Sequence, residues 1–176
     1  MENDTRPIAV FPGSFDPYTI AHNDLVLEAS KIFRVHILIC ANPDKPSGMF
    51  TPSERKDIIQ SVWKCCYPIS VEVVVWPGLV TDYCIENHIE YIIRGIQYKN
   101  AAEELDLSHV YHNDANLKTV FFPTYDTVHE HISSTRVREY IRNYSQNWKW
   151  FVPTHAIDTI ESFVEEKRSS IRYDRV

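Results

Sequence analysis

Short apolar runs alternate along this chain with longer segments whose apolar residues recur at helical spacing. Ile8, Ala9, Val10 and Phe11 form the first run and predict a buried strand, closed by a turn of Pro12, Gly13, Asp16 and Pro17. A helix is predicted from near Thr19, with Leu25, Val26, Ala29, Ile32 and Phe33 on one face. Val35 to Ala41 is apolar apart from His36, which predicts a strand covered on both sides. Thr51-Pro52-Ser53-Glu54 opens the next helix with a capping box and a proline at its first position; Ile58, Ile59, Val62 and Trp63 supply its buried face. Val71 to Trp76 predicts the third strand. Pro77-Gly78 then turns into a helix carrying Leu79, Val80, Tyr83, Cys84 and Ile85. Tyr91 to Gly95 predicts the fourth strand, and Tyr98 to about Asn113 a helix with Ala101, Ala102, Leu105, Leu107 and Val110 as its apolar positions. Thr119 to Pro123 is the fifth strand. Ile132-Ser133-Ser134-Thr135 opens a further helix, and a last one carries Ile157, Ile160, Phe163 and Val164. Trp148 to Pro153 is expected to pack on the sheet or on a neighbouring subunit.

Five strands alternating with helices predict an α/β fold, a Rossmann-like, doubly wound, five-stranded parallel sheet with right-handed crossovers. The expectation is a single domain over residues 1–176, with residues 1–6 and about 168–176 as flexible tails. Composition is ordinary for such a domain, with 44% hydrophobic and 24% charged residues, so nothing suggests disorder. The net charge of -6 argues against a general nucleic-acid binder but permits a small anionic nucleotide held by local cations. Met1 to Arg6 is polar and no run approaches a membrane span, so a cytoplasmic protein without a membrane partner is expected. Cys40 and Cys84 lie in apolar segments and Cys65-Cys66 are adjacent. Without CxxC spacing, free thiols are a better reading than zinc or disulfides.

Candidate chemistry gathers where a parallel sheet binds ligands, beyond the carboxyl ends of its strands. The first such turn runs from Val10 to His22 and offers Gly13, a helix N-terminus and an imidazole, a combination suited to phosphate and to developing phosphoryl charge. Lys45 follows the second strand, and Arg94-Gly95 ends the fourth with a guanidinium able to fork onto phosphate oxygens. The hydroxyls of Ser133, Ser134 and Thr135 cap a helix and can also donate to phosphates. Neither GxGxxG nor GxxxxGK[ST] is present, so dehydrogenase and P-loop kinase readings lack their phosphate loops. His109-x-x-His112 and His129-x-His131 have no acidic or cysteine partners at ligand spacing, and a solvated or capping role fits them better than a metal site.

Gly13-Ser14-Phe15-Asp16-Pro17 followed by Thr19-x-x-His22 resembles the GxFDxxxxGH signature of the nucleotidylyltransferase superfamily, and Ile132-Ser133-Ser134-Thr135 with Val137-Arg138 resembles its second motif. Lys45 with Met49-Phe50-Thr51-x-x-Glu54-Arg55, Ile92-Ile93-Arg94-Gly95, and Phe151-Val152-Pro153 extend the likeness toward the phosphopantetheine adenylyltransferase family, from about Ile8 to Phe163. The resemblance implies transfer of an adenylyl group from ATP to 4'-phosphopantetheine with Mg2+, without a covalent enzyme intermediate. It implies catalytic roles for His22, Lys45 and Arg94, and acceptor binding by Ser14, Lys45, Val80 and Arg94. It also implies ATP binding by Ser14, Phe15, His22, Gly95, Ile96, Gln97 and Glu104, and by His129, Glu130, His131, Ile132, Ser133, Ser134 and Thr135. A homo-oligomer, a hexamer, is implied as well. Two positions depart from the pattern: Ala21 stands where the family has glycine, and Gln97 where it has a second arginine. Losing that charge-assisted bond costs roughly 1.5–3 kcal/mol unless another cation substitutes, and Lys99 is the nearest. Two other readings share these residues: a nicotinate mononucleotide adenylyltransferase, and a non-catalytic nucleotide-binding protein on the same fold.

Overall fold

A computed structural model describes residues 4–40, 48–66, 71–123 and 132–173. Among the described residues, five parallel strands lie in the order β3-β2-β1-β4-β5: β1 (Ile8–Gly13), β2 (Arg34–Cys40), β3 (Val71–Trp76), β4 (Tyr91–Ile96) and β5 (Lys118–Pro123). Among the same residues, six α-helices cover the sheet: α1 (Ile20–Ala29), α2 (Pro52–Cys66), α3 (Val80–Glu86), α4 (Ala101–Ala115), α5 (Ser134–Arg142) and α6 (Ile157–Tyr173). Alternate strand residues feed two apolar layers. Ala9, Phe11, Ile37, Ile39 and Ile93 meet α1, α2, α5 and α6, whereas Val10, Leu38 and Ile92 meet Tyr83 and Cys84 of α3 and Tyr111 of α4. Both faces are therefore covered, as the near-continuous apolar strands require. No described helix is long and apolar enough to cross a membrane.

The strand order reverses direction between β1 and β4, and there the sheet opens. The ladder of β1 with β2 continues from Ile8↔Arg34 to Gly13↔Ile39, but with β4 it covers only Ala9↔Tyr91 and Val10↔Ile92. Pro12 has no N–H to offer a neighbour, and the β4 ladder ends before it. Pro12 and Gly13, expected in the turn, instead extend the strand, because pairing with β2 continues through them.

The turn after β1 is fixed from several sides by one carboxylate. Asp16, 5% exposed, accepts the N–H groups of Met49 and Phe50, each at 2.9 Å. Arg55 Nε lies 3.4 Å from one of its oxygens and Arg138 Nη1 3.8 Å from the other. These arginines also donate to carbonyls of the same turn, Arg55 to Ser14 at 3.1 Å and Arg138 to Asp16 itself at 2.5 Å. Gly48 is forced by this packing: a Cβ there would collide with the Asp16 carboxylate and the Arg55 guanidinium.

The predicted capping box holds, with Thr51 N–H donating to Glu54 at 2.6 Å and Glu54 N–H to Thr51 Oγ1 at 3.2 Å. Two expectations need correction. Residues from Arg168 to Tyr173 are helical, not a frayed tail, since Arg168 donates to the Ile141 carbonyl at 2.9 Å and stacks 4.3 Å over the Tyr144 ring. At the other end, Arg6 donates to the Ser30 carbonyl, and its own carbonyl accepts from Arg34 at 3.0 Å, which ties that segment to the end of α1. The apolar face of α4 also differs from expectation. Glu104, Leu107, Tyr111 and Ala115 face the sheet, while Leu105 and Val110 are each 48% exposed. Glu104 faces inward onto Arg94, on the same side of the helix as Leu107 and Tyr111.

Asp16→Ala leaves two backbone N–H groups, that of Phe50 buried, and two arginines without their shared partner. It is expected to lower stability by about 3–5 kcal/mol in urea unfolding. A loss below about 1 kcal/mol, the value of a surface pair, would contradict this role.

Candidate functional site

A cleft of about 360 Å³ lies beyond the carboxyl ends of β1 and β4, where the sheet opens. Pro12, Gly13, Ser14 and Phe15 form its floor, Thr19, Ala21, His22 and Leu25 of the α1 entry one wall, and Arg94, Gly95, Gln97, Asn100 and Glu104 the opposite wall. Ile132, Ser133 and Ser134 close it at the start of α5. Two helix N-termini thus border one space, and their free N–H groups favour an anion there.

His22 is held by a capping box in which its imidazole stands where a carboxylate is usual. Thr19, the N-cap of α1, accepts the His22 N–H at 3.5 Å, and Nδ1 of the ring accepts the Thr19 N–H at 3.1 Å. A backbone N–H can only donate, so Nδ1 carries no proton and the neutral ring keeps its proton on Nε2. Phe15 meets the imidazole edge-on at 5.1 Å between centroids, and Tyr18 stacks on it at 5.6 Å. This burial pushes the His22 pKa down to about 4. Phe15 holds the left-handed backbone conformation, φ 48°, which costs a residue with a side chain about 1–3 kcal/mol, and its ring is 2% exposed beneath the imidazole.

Arg94 is clamped. Nε donates to Glu104 Oε2 at 2.6 Å, Nη2 to Oε1 at 2.8 Å and Nη1 to the Pro12 carbonyl at 3.3 Å, across the opening between β1 and β4. Burial works against the guanidinium's charge, and the Glu104 carboxylate more than offsets it, so the net shift of its pKa is upward. Gly95 keeps the wall close, since a Cβ there would come within 2.9 Å of Leu25 Cδ1.

The hydroxyls at the start of α5 all have partners within the protein. Ser133 accepts from Arg136 N–H at 3.2 Å, Ser134 donates to the Pro17 carbonyl at 2.8 Å, and Thr135 accepts from Arg138 Nη2 at 3.0 Å. The Ser134 bond docks α5 onto the first turn.

Of the residues singled out in the sequence, the cleft brings together Ser14, Phe15, His22, Arg94, Gly95, Gln97, Glu104, Ile132, Ser133 and Ser134. Ile96, Thr135 and Val80 are not among its lining residues; Val80 opens α3 and packs against the second apolar layer. Lys45, His129, Glu130 and His131 lie outside the described residues. Lys99, proposed to replace the charge missing at Gln97, is exposed and lies outside the lining. Thr19 and Asn100 were not singled out for the site. Each carried a spacing signal: Thr19 lies three residues before His22, as in a capping box, and Asn100 four before Glu104, as on one helix face.

A cytidylyltransferase-like family model matches residues 10–140. The phosphopantetheine adenylyltransferase of Corynebacterium diphtheriae is 38% identical over 133 residues, 74% of this chain and 82% of that protein. The protein of the same name from Corynebacterium efficiens is 32% identical over 155 residues, 87% of this chain and 95% of its own. The chain belongs to the phosphopantetheine adenylyltransferase family. Among solved structures, the nicotinic acid mononucleotide adenylyltransferase of Plasmodium falciparum superposes with a TM-score of 0.66, covering 90% of this chain and 96% of that one, at 14% identity. At that identity the likeness is one of fold.

By linkage, a histidine whose folded pKa is depressed costs stability as pH falls from its unfolded value of about 6.5 toward 4, where the unfolded chain binds a proton that the folded one does not. The His22 ring is expected to titrate near pH 4 with the Nε2–H tautomer, read from its nitrogen chemical shifts. Titration at an ordinary histidine value would contradict the geometry.

Proposed function

We propose that this chain transfers the adenylyl group of ATP to 4'-phosphopantetheine, releasing pyrophosphate and forming dephospho-coenzyme A. A phosphate oxygen of the acceptor attacks the α-phosphorus, and the bond from that phosphorus to the bridging oxygen of the β-phosphate breaks. The charge that develops lies on the non-bridging oxygens of the α-phosphate. The carrying observation is the bond from Thr19 N–H to Nδ1 of His22, a cleft-lining ring whose neutral form then keeps its proton on Nε2 as a donor. Because its pKa lies near 4, the ring donates without itself changing charge at neutral pH.

Arg94 and Lys45 hold the acceptor phosphate in this reading, with Ser14 in the same cleft as Arg94 and the pantetheine arm running toward Val80 and the exposed Leu79 at the start of α3. ATP lies along Phe15, Ala21, Gly95 and Gln97, with its phosphates against the N-termini of α1 and α5; Ile96, Thr135 and His129 to His131 are assigned to ATP by the family resemblance alone. The acceptor assignment is supported by the curated relatives at 32–38% identity. Mg2+ enters with the ATP phosphates as part of the substrate. Among the described residues no cluster of three acidic, histidine or cysteine side chains could hold a metal, and the cleft's carboxylate, Glu104, is already on Arg94. A cytoplasmic homo-oligomer completes the proposal.

Purified protein with ATP and Mg2+ is expected to release pyrophosphate with 4'-phosphopantetheine and not with nicotinate mononucleotide. The reverse preference would keep the fold and discard the acceptor. His22→Ala should lower kcat by roughly 10²–10³-fold with modest change in substrate affinity. A chelator should stop turnover while leaving the Tm of the nucleotide-free protein unchanged; a fall in Tm would indicate a resident metal.

A further inference from the structure

We propose that Glu104 is a positioning residue that acts on the acceptor phosphate through Arg94. The inference rests on the reading above, in which Arg94 holds that phosphate. A guanidinium has five N–H groups, and the bonds to Glu104 and Pro12 use three of them. One N–H on each Nη is left for an oxyanion, and the carboxylate fixes where those two point.

Glu104 is itself held. Asn100 donates from Nδ2 to Oε1 at 3.5 Å, and Asn100 Oδ1 accepts the Gln97 N–H at 2.7 Å, which ties the carboxylate to the turn leaving β4. At 9% exposure, both Glu104 oxygens are engaged within the cleft wall. A carboxylate freed from Arg94 would repel the triphosphate; paired, it is neutralised and serves as a strut. Gln97 sharpens the dependence, because the cleft wall then has one arginine where the family pattern has two.

The test is calorimetric binding of 4'-phosphopantetheine and, separately, of ATP to the wild type, Glu104→Gln, Arg94→Ala and the double variant. Glu104→Gln is expected to weaken 4'-phosphopantetheine about 10-fold and ATP less than about 2-fold, and to add less than about 2-fold when Arg94 is already alanine. Asn100→Ala keeps the charge and should shift affinity in the same acceptor-selective direction by a smaller factor, a readout that survives if Glu104→Gln fails to fold. An equal or larger loss of ATP affinity, additive losses in the double variant, or tighter acceptor binding by Glu104→Gln would each overturn the proposal, the last by making the pair a plug on Arg94. A wild type that binds no 4'-phosphopantetheine would overturn the functional reading, and this inference with it. A wild type that binds and turns it over, with ATP-selective losses in the variants, would overturn this inference alone.

Discussion

The Asp16 carboxylate is the constraint on which the cleft depends. It sits in the turn between β1 and α1, accepts two backbone N–H groups from the start of the α2 region, and is flanked by Arg55 of α2 and Arg138 of α5. Two separate stretches of chain, the start of α2 and α5, are thereby fixed to one turn. Their alignment decides the position of Phe15, of the Thr19–His22 cap and, through Ser134 on the Pro17 carbonyl, of the α5 N-terminus. Charge-assisted bonds at a buried turn are costly to misplace, so the strain at Phe15 is tolerated in the one geometry that satisfies them.

From that frame the cleft acquires its electrostatic character. The chain carries a net charge of -6, yet the donors bordering this space are N–H groups, an imidazole N–H and a guanidinium. A negative protein can hold a polyanion when helix termini and one clamped arginine converge. The opening between β1 and β4 is what admits Arg94 to the Pro12 carbonyl, and it follows from a proline in the central strand. Sequence chemistry, sheet topology and the anion site are in this way one argument.

Much of this was legible before any coordinates. All five strands, the capping box at Thr51 and the helix start at Thr19 follow from local pattern, because each is decided by neighbours in sequence. The face of α4 is not legible for the converse reason: apolar spacing favours Leu105 and Val110, but Glu104 pairs with Arg94 ten residues away and faces inward with Leu107 and Tyr111. The helical end from Arg168 was likewise invisible, since it depends on Tyr144 and Ile141, more than twenty residues away. At the site, His22 and Arg94 were found from their residue types and positions. The orienting roles of their partners Thr19 and Glu104 are not legible, because a side chain that orients another leaves only a spacing in the sequence.

The central claim is that the chain positions two reactants and stabilises charge without forming a bond to either. Its most direct test is stereochemical. Turnover of an ATP made chiral at the α-phosphorus by one sulfur, with 4'-phosphopantetheine as acceptor, is predicted to give product of inverted configuration, the signature of a single in-line displacement. Retention of configuration would mean two displacements through an adenylylated side chain, and would contradict the role given to His22.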